Sequence, residues 1–440
     1  MIKHLDMETL IALSKRRGII FQASEIYGGI GGFWDFGPYG VEIAKNIKDI
    51  WWKNFVYNQP NIVGIDTTII QSSRLWRASG HVDTFVDPMV DCKNCKLRFR
   101  ADEIDLKKDC PNCREKNSFT KSRQFHLMFK THVGPIEDDS ALAYLRPETA
   151  GGIFAQFANV LETSRKKLPF GIAQVGKAFR NEITPSDFIF RTREFEQMEL
   201  EYFCDPQSAA NEYEKWKNFS LAWLKKIGIN SKNLKFHEHN KKEKAHYAIS
   251  SCDIQYNFPF GYKELSGIAN RTDFDLKAHS EASGKDLSYF NEKTKCKVIP
   301  YVIEPSFGVG RLVLALLHSA FSKEKVNNEE RIVLKLSTDI APVKVAVLPL
   351  SKNEKLTPLA KKIWAKLNNN YYVEYDETQS IGRRYRRQDE IGTPLCVTID
   401  FESLDDQAVT IRDRDSMQQE RVKIDNLSEI INKKLSLSSS

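Results

Sequence analysis

The chain has 440 residues, including 65 Lys or Arg, 58 Asp or Glu and eight Cys. This length allows two or three domains, and a formal charge of +7 permits a nucleic-acid partner without requiring one. No apolar run approaches the roughly 20 residues of a membrane span, and the polar N-terminal segment lacks the apolar core of a secretory signal. Because four cysteines are clustered and four are scattered, a disulfide framework is excluded and a reducing cytoplasm is expected.

The N-terminal region combines a short helix, a glycine-rich stretch and a longer helix. Residues 6–20 have the spacing of an amphipathic helix, and the glycines of residues 28–37 are expected in tight turns because Trp34 breaks the dinucleotide-binding spacing. Pro38 is suited to open the next helix, whose apolar stripe consists of Val41, Ala44, Ile47, Ile50, Trp51 and Phe55. Periodicity alone does not decide whether this stripe packs in the core or forms a dimer interface.

Two Cys-x-x-Cys pairs lie about 15 residues apart, within an insertion at about residues 90–120. The pairs are Cys92 with Cys95 and Cys110 with Cys113, and this spacing is typical of a four-thiolate zinc site. A closed tetrahedral site would hold together a segment that is too small to form its own hydrophobic core. The sequence therefore predicts a structural zinc ion here.

Glu148 is expected at a corner between a strand and a helix. Pro147 precedes it, and Gly151 and Gly152 lead into an apolar helix. At such a corner a carboxylate can project into a cavity, or it can cap the helix that follows. The residues alone leave both possibilities open.

The stretch from residue 170 to residue 203 is predicted to be the centre of the fold. Residues 174–182 and 194–203 alternate with a period of two, which is typical of strands. The intervening loop, residues 185–193, is too long for a tight hairpin and is rich in Arg and Phe. An antiparallel pair with most of its charges on one face could form the floor of a polar pocket, although periodicity alone favours a salt-bridged surface hairpin.

Residues 299–321 combine a strand, two glycines, an arginine and an apolar helix. The helix, residues 313–321, is apolar on nearly every side and is therefore expected to be buried. Arg311 at its start would then be a buried charge without a partner, an arrangement that a bound phosphate explains.

The chain changes character after about Pro342, beyond a polar boundary at residues 322–330. Strands are predicted at residues 343–350, 372–375, 395–401 and 408–414, and helices at residues 356–367, 381–390 and 427–435. This alternation predicts a small α/β domain with a mixed sheet. One helix carries a basic cluster around an aromatic residue: Arg383, Arg384, Tyr385, Arg386 and Arg387. A solvated charged face is the usual explanation of such a cluster, and a nucleic-acid contact is the alternative.

The central stretch resembles motif 2 of the class II aminoacyl-tRNA synthetases, in the form that the glycyl enzymes use. The resemblance rests on Phe179-Arg180-Asn181-Glu182, the long loop, and Phe195-Glu196-Gln197-Met198-Glu199. Residues 33–60 resemble motif 1, residues 299–321 resemble motif 3, and the C-terminal part resembles the anticodon-binding domain shared by the glycyl, histidyl, prolyl and threonyl enzymes. The resemblance implies an α/β (α+β) fold and a homodimer, with an antiparallel-sheet catalytic domain and flanking helices at 1–340 and an anticodon-binding domain at 341–440.

The resemblance further implies that the chain binds ATP with Mg²⁺, glycine and tRNA(Gly) in the cytoplasm, and joins glycine to the 3′ end of that tRNA. Arg180 and Arg311 would act as catalytic charges on the α- and γ-phosphates, and Glu264 would help to hold ATP and its magnesium. The residues implied in ATP binding are Arg180, Asn181, Glu182, Phe190, Arg191, Thr192, Arg193, Glu194, Phe195, Glu264, Leu265, Gly308, Val309, Gly310 and Arg311. The residues implied in binding the amino-acid substrate are Arg100, Glu148, Phe195, Glu196, Gln197, Met198, Glu199, Glu304, Pro305, Ser306, Phe307 and Gly308.

Two other functions are weighed against this one. An accessory subunit that binds nucleic acid without catalysis would not need the two phosphate arginines or Glu148, Glu182 and Glu304, which are all present. A class II synthetase for another amino acid, such as proline or serine, is disfavoured by residues 146–148 and 304–306, which match the glycyl form. The signature segments of the class I synthetases are absent from the sequence.

Overall fold

The computed structural model describes residues 5–240, 248–292, 294–326 and 328–437, so the first four residues of the polar N-terminal segment lie outside the described part. The α-helices before residue 340 are α1 (Met7–Arg16), α2 (Pro38–Trp52), α3 (Ser73–Ala78), α4 (His81–Thr84), α5 (Ala150–Ser164), α6 (Ala209–Lys226), α7 (Phe274–Ser283) and α8 (Val309–Ala320). Those that follow are α9 (Leu356–Asn368), α10 (Ile381–Ile391), α11 (Glu402–Asp406) and α12 (Leu427–Leu437). In the described ranges, no helix combines the length and the apolar character needed to cross a membrane.

The strands of the first half of the chain are β1 (Ile20–Gln22), β2 (Trp34–Phe36), β3 (Ile62–Gly64), β4 (Ile70–Ser72), β5 (Val86–Asp91), β6 (Arg98–Arg100), β7 (Arg123–His126), β8 (Lys130–His132), β9 (Leu142–Leu145), β10 (Phe170–Phe179) and β11 (Glu194–Cys204). Those up to residue 334 are β12 (Leu234–Glu238), β13 (Ser250–Phe258), β14 (Gly261–Thr272), β15 (Tyr289–Asn291), β16 (Cys296–Val298), β17 (Tyr301–Gly308), β18 (Phe321–Val326) and β19 (Glu329–Leu334). The last are β20 (Val345–Pro349), β21 (Val373–Tyr375), β22 (Leu395–Ile399), β23 (Ala408–Asp413) and β24 (Gln419–Lys423).

The largest sheet of the described chain has the strand order β12-β13-β14-β17-β11-β10-β3. Its neighbouring strands pair antiparallel, except that β10 pairs with β3 in parallel. This arrangement confirms the predicted antiparallel-sheet core. The central strands β10 and β11 are long enough to carry a row of side chains on each face, which is what builds the site described below.

The central hairpin is confirmed, but its first strand is shorter than the alternation predicted. The pairing of β10 with β11 runs from Phe170 opposite Phe203 to Phe179 opposite Glu194. The N–H of Arg180 still donates to the carbonyl oxygen of Arg193 at 2.9 Å, and beyond it the backbone leaves the ladder, because the N–H of Asn181 donates to the carbonyl oxygen of Leu127 at 2.7 Å. Residues 180–182 therefore belong to the loop, where side chains no longer alternate between two faces.

The helices α2 and α8 cover one face of this sheet. The predicted apolar helix is confirmed, since α8 buries every residue from Leu312 to Leu317. It begins at Val309, so Arg311 lies inside its first turn rather than before it. The two helices also contribute to one hydrophobic core together with side chains of β10 and β11.

The predicted apolar stripe of α2 is divided between the core and the surface. The helix begins at Pro38, as expected. Ala44, Ile47 and Trp51 are buried in the core, whereas Val41 is 49% exposed. Core packing thus explains the inner part of the stripe and leaves its outer part free for another contact.

The polar stretch expected to mark a domain boundary is folded into a hairpin of β18 and β19. Arg331 on β19 is fully buried, and its Nε donates to Oδ2 of Asp389 in α10 at 2.8 Å. Its Nη1 donates to Glu324 on β18 at 2.7 Å. The hairpin therefore connects the helix α10 to the first part of the chain through a buried ion pair.

The C-terminal part forms the predicted mixed α/β sheet, in the order β21-β20-β22-β23-β24. Its first three strands are parallel, and the pairs β22–β23 and β23–β24 are antiparallel. The elements β24 and α11 were not predicted. Side chains such as Val347, Ile363, Val397 and Ile431 form a hydrophobic core that is separate from that of the large sheet.

The arginines of α10 do not form the exposed basic patch that the sequence suggested. Arg384 is fully buried, and its Nη1 donates to the carbonyl oxygen of Pro349 at 2.5 Å. Arg387 is paired with Asp376. Of the four arginines only Arg383 is exposed. The interpretation as a surface patch was wrong, because these side chains bind carbonyl and carboxylate groups of their own domain.

Asp389 is the group on which the buried charges of this junction depend. It accepts hydrogen bonds from Arg331 and, at 2.9 Å, from Nη1 of Arg412. Asp389→Ala leaves the buried guanidinium of Arg412 without a carboxylate and takes one of two carboxylates from Arg331, so we expect the free energy of unfolding to fall by about 3–5 kcal/mol. Denaturant titration measures this loss. Asp405→Ala, at an exposed position of α11, is the control and should change it by less than about 0.5 kcal/mol; equal stability of the two variants would contradict the assignment.

Candidate active site

A cavity of about 290 Å³ lies over the polar face of the large sheet. Its walls come from β11, β13, β14 and β17, from the loop between β10 and β11, and from the start of α8. The predicted site residues that line it are Glu148, Arg180, Glu182, Phe190, Arg191, Thr192, Phe195, Gln197, Glu199, Glu264, Leu265, Glu304, Ser306, Gly308, Gly310 and Arg311. The central hairpin thus forms the floor of a polar pocket, as one of the two sequence hypotheses predicted.

The remaining predicted residues do not line the cavity in the described part of the chain. They are Arg100, Asn181, Arg193, Glu194, Glu196, Met198, Pro305, Phe307 and Val309. Strand geometry explains four of them, because side chains alternate between the two faces of a sheet. The cavity face of β11 belongs to Phe195, Gln197 and Glu199, and that of β17 belongs to Glu304 and Ser306.

Side chains on the other face of these strands meet the helices instead. Lys48 of α2 pairs with Glu196 at 2.9 Å, and Met198 and Phe307 are buried in the hydrophobic core. Pro305, which alternates with the cavity residues of β17, is also buried. We therefore correct the assignment of substrate-binding side chains at these four positions.

The side chain of Arg193 stabilises the long loop and does not line the cavity. Its Nη1 donates to the carbonyl oxygen of Gly31 at 2.6 Å, and its Nε and Nη2 donate to that of Glu182 at 3.1 and 2.9 Å. Gly32 has a φ of +79°, and a Cβ there would lie 2.6 Å from Pro185. The glycine-rich stretch therefore forms a tight turn against the loop, and the assignment of Arg193 to ATP is corrected.

Local contacts also hold three other predicted residues that lie outside the cavity lining, one in the loop and two at the starts of β11 and α8. Asn181 is fixed through its backbone by Leu127, Glu194 is paired with Lys177, and Val309 is buried in the core. Their side chains do not line the cavity, and their part in ATP binding stays a prediction.

Arg100 is held within the insertion by carboxylates. Its Nη1 lies 2.8 Å from Oδ2 of Asp87, and its Nη2 lies 2.8 Å from Oδ2 of Asp102. Arg100 thus has carboxylate partners outside the cavity, and its substrate contact stays a prediction. The insertion reaches the cavity through a different pair, since Glu103 lies 2.7 Å from Nη1 of Arg191.

Arg180, the first residue after β10, is fixed by its surroundings. Its Nε donates to the carbonyl oxygen of Pro147 at 3.0 Å. Its Cζ lies 5.4 Å from the ring centroids of both Phe85 and Phe195. A guanidinium group held in this way can meet an anion without reorganising, which is the condition for strong electrostatic stabilisation.

The structure corrects the expectation that Arg311 is a buried charge without a partner. Its Nη1 lies 2.8 Å from Oε2 of Glu264, and its Cζ lies 4.5 Å from the ring centroid of Phe190. The charge of Arg311 holds the pKa of Glu264 below its usual value, although burial opposes this shift. The pair sets a cation beside a carboxylate, which suits a phosphate chain accompanied by a divalent metal ion.

The opposite end of the cavity is acidic. Glu148, Glu199 and Glu304 face it, and burial together with the charges of the other two raises the pKa of Glu304 to about 8. Burial also opposes ionisation of Glu148, but its contact with His81 and the charges of Arg271 and Arg180 hold its pKa well below its usual range. The side chain of Glu148 thus projects into the cavity, which decides between the two possibilities that the sequence left open. A ligand with an ammonium group fits this end.

Glu199 is held by four hydrogen bonds. Its Oε2 accepts from the backbone N–H of Thr149 at 3.0 Å and from the hydroxyl group of the same residue. Its Oε1 accepts from Nε2 of Gln197 at 2.8 Å and from Oγ of Ser306 at 2.9 Å. Ser306 shares the cavity face of β17 with Glu304. These bonds fix a close-set wall at the acidic end before any ligand binds.

Arg271 organises the acidic end, and the sequence analysis did not assign it a role. It is 1% exposed, donates from Nε and Nη2 to Asp275 at 2.8 Å each, and donates from Nη1 to Oε2 of Glu304 at 2.5 Å. The only local signal is an arginine four residues before an aspartate, which is common on ordinary helix surfaces. Glu201 below it is fully buried, and burial raises its pKa well above the usual value.

Glu182 offers an acceptor at the other end of the cavity. Its Oε2 is buried, and no hydrogen-bond partner for it exists among the residues that the structure describes. Buried acceptors in proteins are normally satisfied, so a donor from a ligand is the simplest partner. The ring of Phe195 lines the same cavity and can stack on a planar ligand.

The four cysteines of the insertion converge on one point. Their Sγ atoms all lie within 4.8 Å of one another, with Cys92 and Cys113 at 3.6 Å and Cys95 and Cys110 at 3.8 Å. A tetrahedral site with Zn–S bonds of about 2.3 Å places its sulfurs roughly 3.8 Å apart. The side chains therefore fit the zinc ion that their spacing predicted.

We expect about one zinc ion per chain in protein that is purified without a chelator. Cys92→Ser or Cys110→Ser should lose the metal, because a closed structural site needs all four thiolates. Metal analysis by mass spectrometry measures this content. Cys296→Ser, at an exposed cysteine outside the cluster, is the control and should keep the metal. A metal-free and fully active wild type would contradict the assignment.

Known proteins match the chain over nearly its whole length. A model of the tRNA synthetase class II core domain (G, H, P, S and T) matches residues 129–320, and one of the anticodon-binding domain matches residues 344–434. The glycine–tRNA ligase of Caldanaerobacter subterraneus is 52% identical over 98% of this chain and 99% of that protein. That of Acetivibrio thermocellus is 54% identical over 96% of each.

A solved structure shows that the fold extends to more distant proteins. Prolyl-tRNA synthetase from Cryptosporidium parvum, complexed with halofuginone and AMPPNP, superposes with a TM-score of 0.67 at 14% identity. The match covers 98% of this chain and 76% of that one. The sheet, the cavity and these matches define a class II aminoacyl-tRNA synthetase. Within that class, the chain belongs to the glycine–tRNA ligase family.

Proposed function

We propose that this protein activates glycine with ATP and transfers the glycyl group to the 3′ end of tRNA(Gly). One observation carries the proposal: a single cavity joins a set of carboxylates suited to an ammonium group to arginines suited to phosphates. The cavity-facing side chains of β11 lie in a row between these two ends. An amino acid and ATP would therefore lie with their reacting groups side by side.

In the first step, a carboxylate oxygen of glycine attacks the α-phosphorus of ATP, and the bond to pyrophosphate breaks. The nucleophile is already ionised, so the reaction needs placement and charge neutralisation rather than a general base. Arg180 is suited to the α-phosphate and Arg311 to the γ-phosphate, each as a planar fork of donors. Glu182 can accept from the adenine amino group while Phe195 stacks on the base.

In the second step, a hydroxyl group of the terminal ribose of tRNA attacks the glycyl carbonyl carbon. The bond to AMP breaks, and a phosphate oxygen of the adenylate takes the hydroxyl proton. No side chain of the protein needs to change its protonation state in this step. The phosphate arginines and the acidic end keep the adenylate in place while the tRNA end enters.

Magnesium fits the phosphate end of the cavity. Glu264 and Asp253 both line it, and burial together with the charge of Glu264 raises the pKa of Asp253. Two carboxylates that line the same end of the cavity supply the oxygen ligands that Mg²⁺ prefers. When bound, the ion neutralises charge on the phosphates. Glu264 and Asp253 would hold the ion, and Arg311, which lies beside Glu264, would face the phosphates.

The remaining features of the proposal concern organisation. Residues 1–340 are assigned to the catalytic domain and residues 341–440 to the anticodon-binding domain, and the two separate hydrophobic cores support this division. A homodimer through the motif 1 helix is supported by the exposure of Val41. The insertion would carry structural zinc. Activity in the cytoplasm agrees with eight cysteines that are all free of disulfides.

Charging of a tRNA(Gly) transcript with labelled glycine tests the proposal. We expect glycyl-tRNA to form only when ATP and magnesium are present, and we expect a tRNA(Ser) transcript to remain uncharged. An accessory protein would bind the transcript without charging it. Binding without charging, under conditions in which the protein is folded, would therefore reject the enzyme and support the alternative.

A further inference from the structure

His81 lies behind the acidic end of the cavity and has no part in the steps described above. It is the first residue of α4, and its side chain is 13% exposed. Its ring lies edge-on between two others, with centroids 5.2 Å from Trp76 and 5.7 Å from Phe85. This packing fixes the plane of the imidazole and therefore the direction of both ring nitrogens.

The two nitrogens of His81 have different partners. Nδ1 lies 2.8 Å from Oγ of Ser79, and Nε2 lies 3.4 Å from Oε2 of Glu148. The hydroxyl of Ser79 can donate to Nδ1, or it can donate to the carbonyl oxygen of Trp76 at 3.3 Å and accept from Nδ1. In the first arrangement Nε2 carries the ring hydrogen and directs it at a carboxylate, which can only accept, so this arrangement satisfies both contacts of the ring.

Because of this contact, the two carboxylate oxygens of Glu148 have different surroundings. Oε2 faces His81, whereas Oε1 lies 3.9 Å from Nη2 of Arg271, which is beyond hydrogen-bond distance. Oε1 is therefore the oxygen that remains for a donor from a ligand. Thr149 and Ser306 contact Glu199 instead, so they do not compete for it.

We propose that His81 is a positioning residue for glycine: its Nε2–H holds one oxygen of Glu148 in place, so that the other oxygen binds the substrate ammonium. The proposal rests on the proposed function, in which Glu148 holds the ammonium group. A donor beside Glu148 suits these surroundings, because Glu199 and Glu304 face the same end, and burial together with the charge of Glu148 raises the pKa of both. His81 never touches the substrate and acts only through Glu148.

Two substitutions separate the hydrogen bond from the packing. His81→Phe keeps a ring between Trp76 and Phe85 but removes both nitrogens, and His81→Gln keeps a donor but removes the ring. We expect His81→Phe to raise the KM for glycine about tenfold or more, the usual cost of losing a hydrogen bond to a charged group. The KM for ATP should change less than about twofold, because the phosphate end is untouched. His81→Gln should show a smaller rise, and it decides the question if His81→Phe fails to fold.

A double-mutant cycle with Glu148→Gln gives the sharpest result. If His81 acts through Glu148, then His81→Phe adds almost nothing once Glu148 is replaced. His126→Gln, at an exposed histidine of β7, is the control and should leave both KM values unchanged. Additive effects in the cycle, or equal effects on the KM values for glycine and ATP, would overturn the proposal in favour of a purely structural role. If Glu148→Gln leaves the KM for glycine unchanged, the ammonium site is overturned as well. If Glu148→Gln raises the KM for glycine and His81→Phe does not, only this inference is rejected.

Discussion

Replacement of Arg180 or Arg311 by alanine is expected to slow adenylate formation by about 100-fold or more, the usual effect of removing one preorganised charge donor. The reaction uses no general base, so most of the rate enhancement must come from neutralising the negative charge of the phosphates. Arg180 is held by Pro147 and two aromatic rings, and Arg311 by Glu264 and Phe190. Single-turnover measurement of adenylate with saturating glycine gives the rate directly.

Two further variants make this test specific. Arg311→Lys keeps the charge but loses the planar fork, so it should recover only part of the rate. Arg383→Ala, which removes an exposed arginine of α10, is the control and should have the rate of the wild type. Near-normal adenylate formation in either active-site variant would show that the phosphate assignment is wrong.

The second large effect is expected at the acidic end of the cavity. Glu148→Gln and Glu304→Gln should each raise the glycine requirement about tenfold or more while changing the ATP requirement little. The amide keeps the shape of each side chain but cannot ionise, so neither variant can present a negative charge to the ammonium group at that position. Glu196→Gln is a matched control on the opposite face of β11, where the side chain pairs with Lys48. The KM values for both substrates in the exchange reaction measure the difference.

An unchanged glycine requirement in both acidic variants would contradict this account of the pocket. A parallel rise in the ATP requirement would also contradict it, since the two ends of the cavity use different side chains. Glu196→Gln must behave as the wild type for either conclusion to hold. If it also raises the glycine KM, the effect arises from strand packing rather than from the pocket.

Glycine has no side chain, so it must be selected by its ammonium group and by the space denied to larger residues. Ser306 shares the cavity face of β17 with Glu304, and its hydroxyl is fixed by Glu199 at 2.9 Å. A methyl group on the substrate α-carbon would meet this fixed wall. Exclusion of a larger substrate can be severe, unlike rejection of a smaller one, which is limited to about 1–3 kcal/mol per methylene.

Local patterns predicted the parts of the site that depend on short-range geometry. The period of two located β10 and β11 and grouped Phe195, Gln197 and Glu199 on one face, because alternation is a property of any strand. The spacing of the cysteines predicted their convergence, because two knuckles of this kind need little further structure. The same alternation placed the side chains of Glu196 and Met198 on the opposite face of the strand. The resemblance to the family therefore assigned more side chains to the substrate site than the alternation allows.

The features that the sequence did not reveal depend on contacts between distant segments. The bond of Arg271 to Glu304 arises from the antiparallel pairing of β14 with β17, and register cannot be read from either strand alone. Arg384 looks like a surface charge by composition, yet backbone carbonyl groups of its own domain bind it. The polar stretch before the C-terminal domain pairs its charges across a hairpin, as Lys323 does with Glu330.

The exchange of labelled pyrophosphate into ATP, measured with each of the twenty amino acids, tests the central claim most directly. The claim is that an ammonium-binding acidic end and a phosphate-binding end act together on the smallest amino acid. We predict exchange with glycine and none above background with alanine, serine or proline. Robust exchange with alanine, or none with glycine from folded protein in the presence of magnesium, would contradict it.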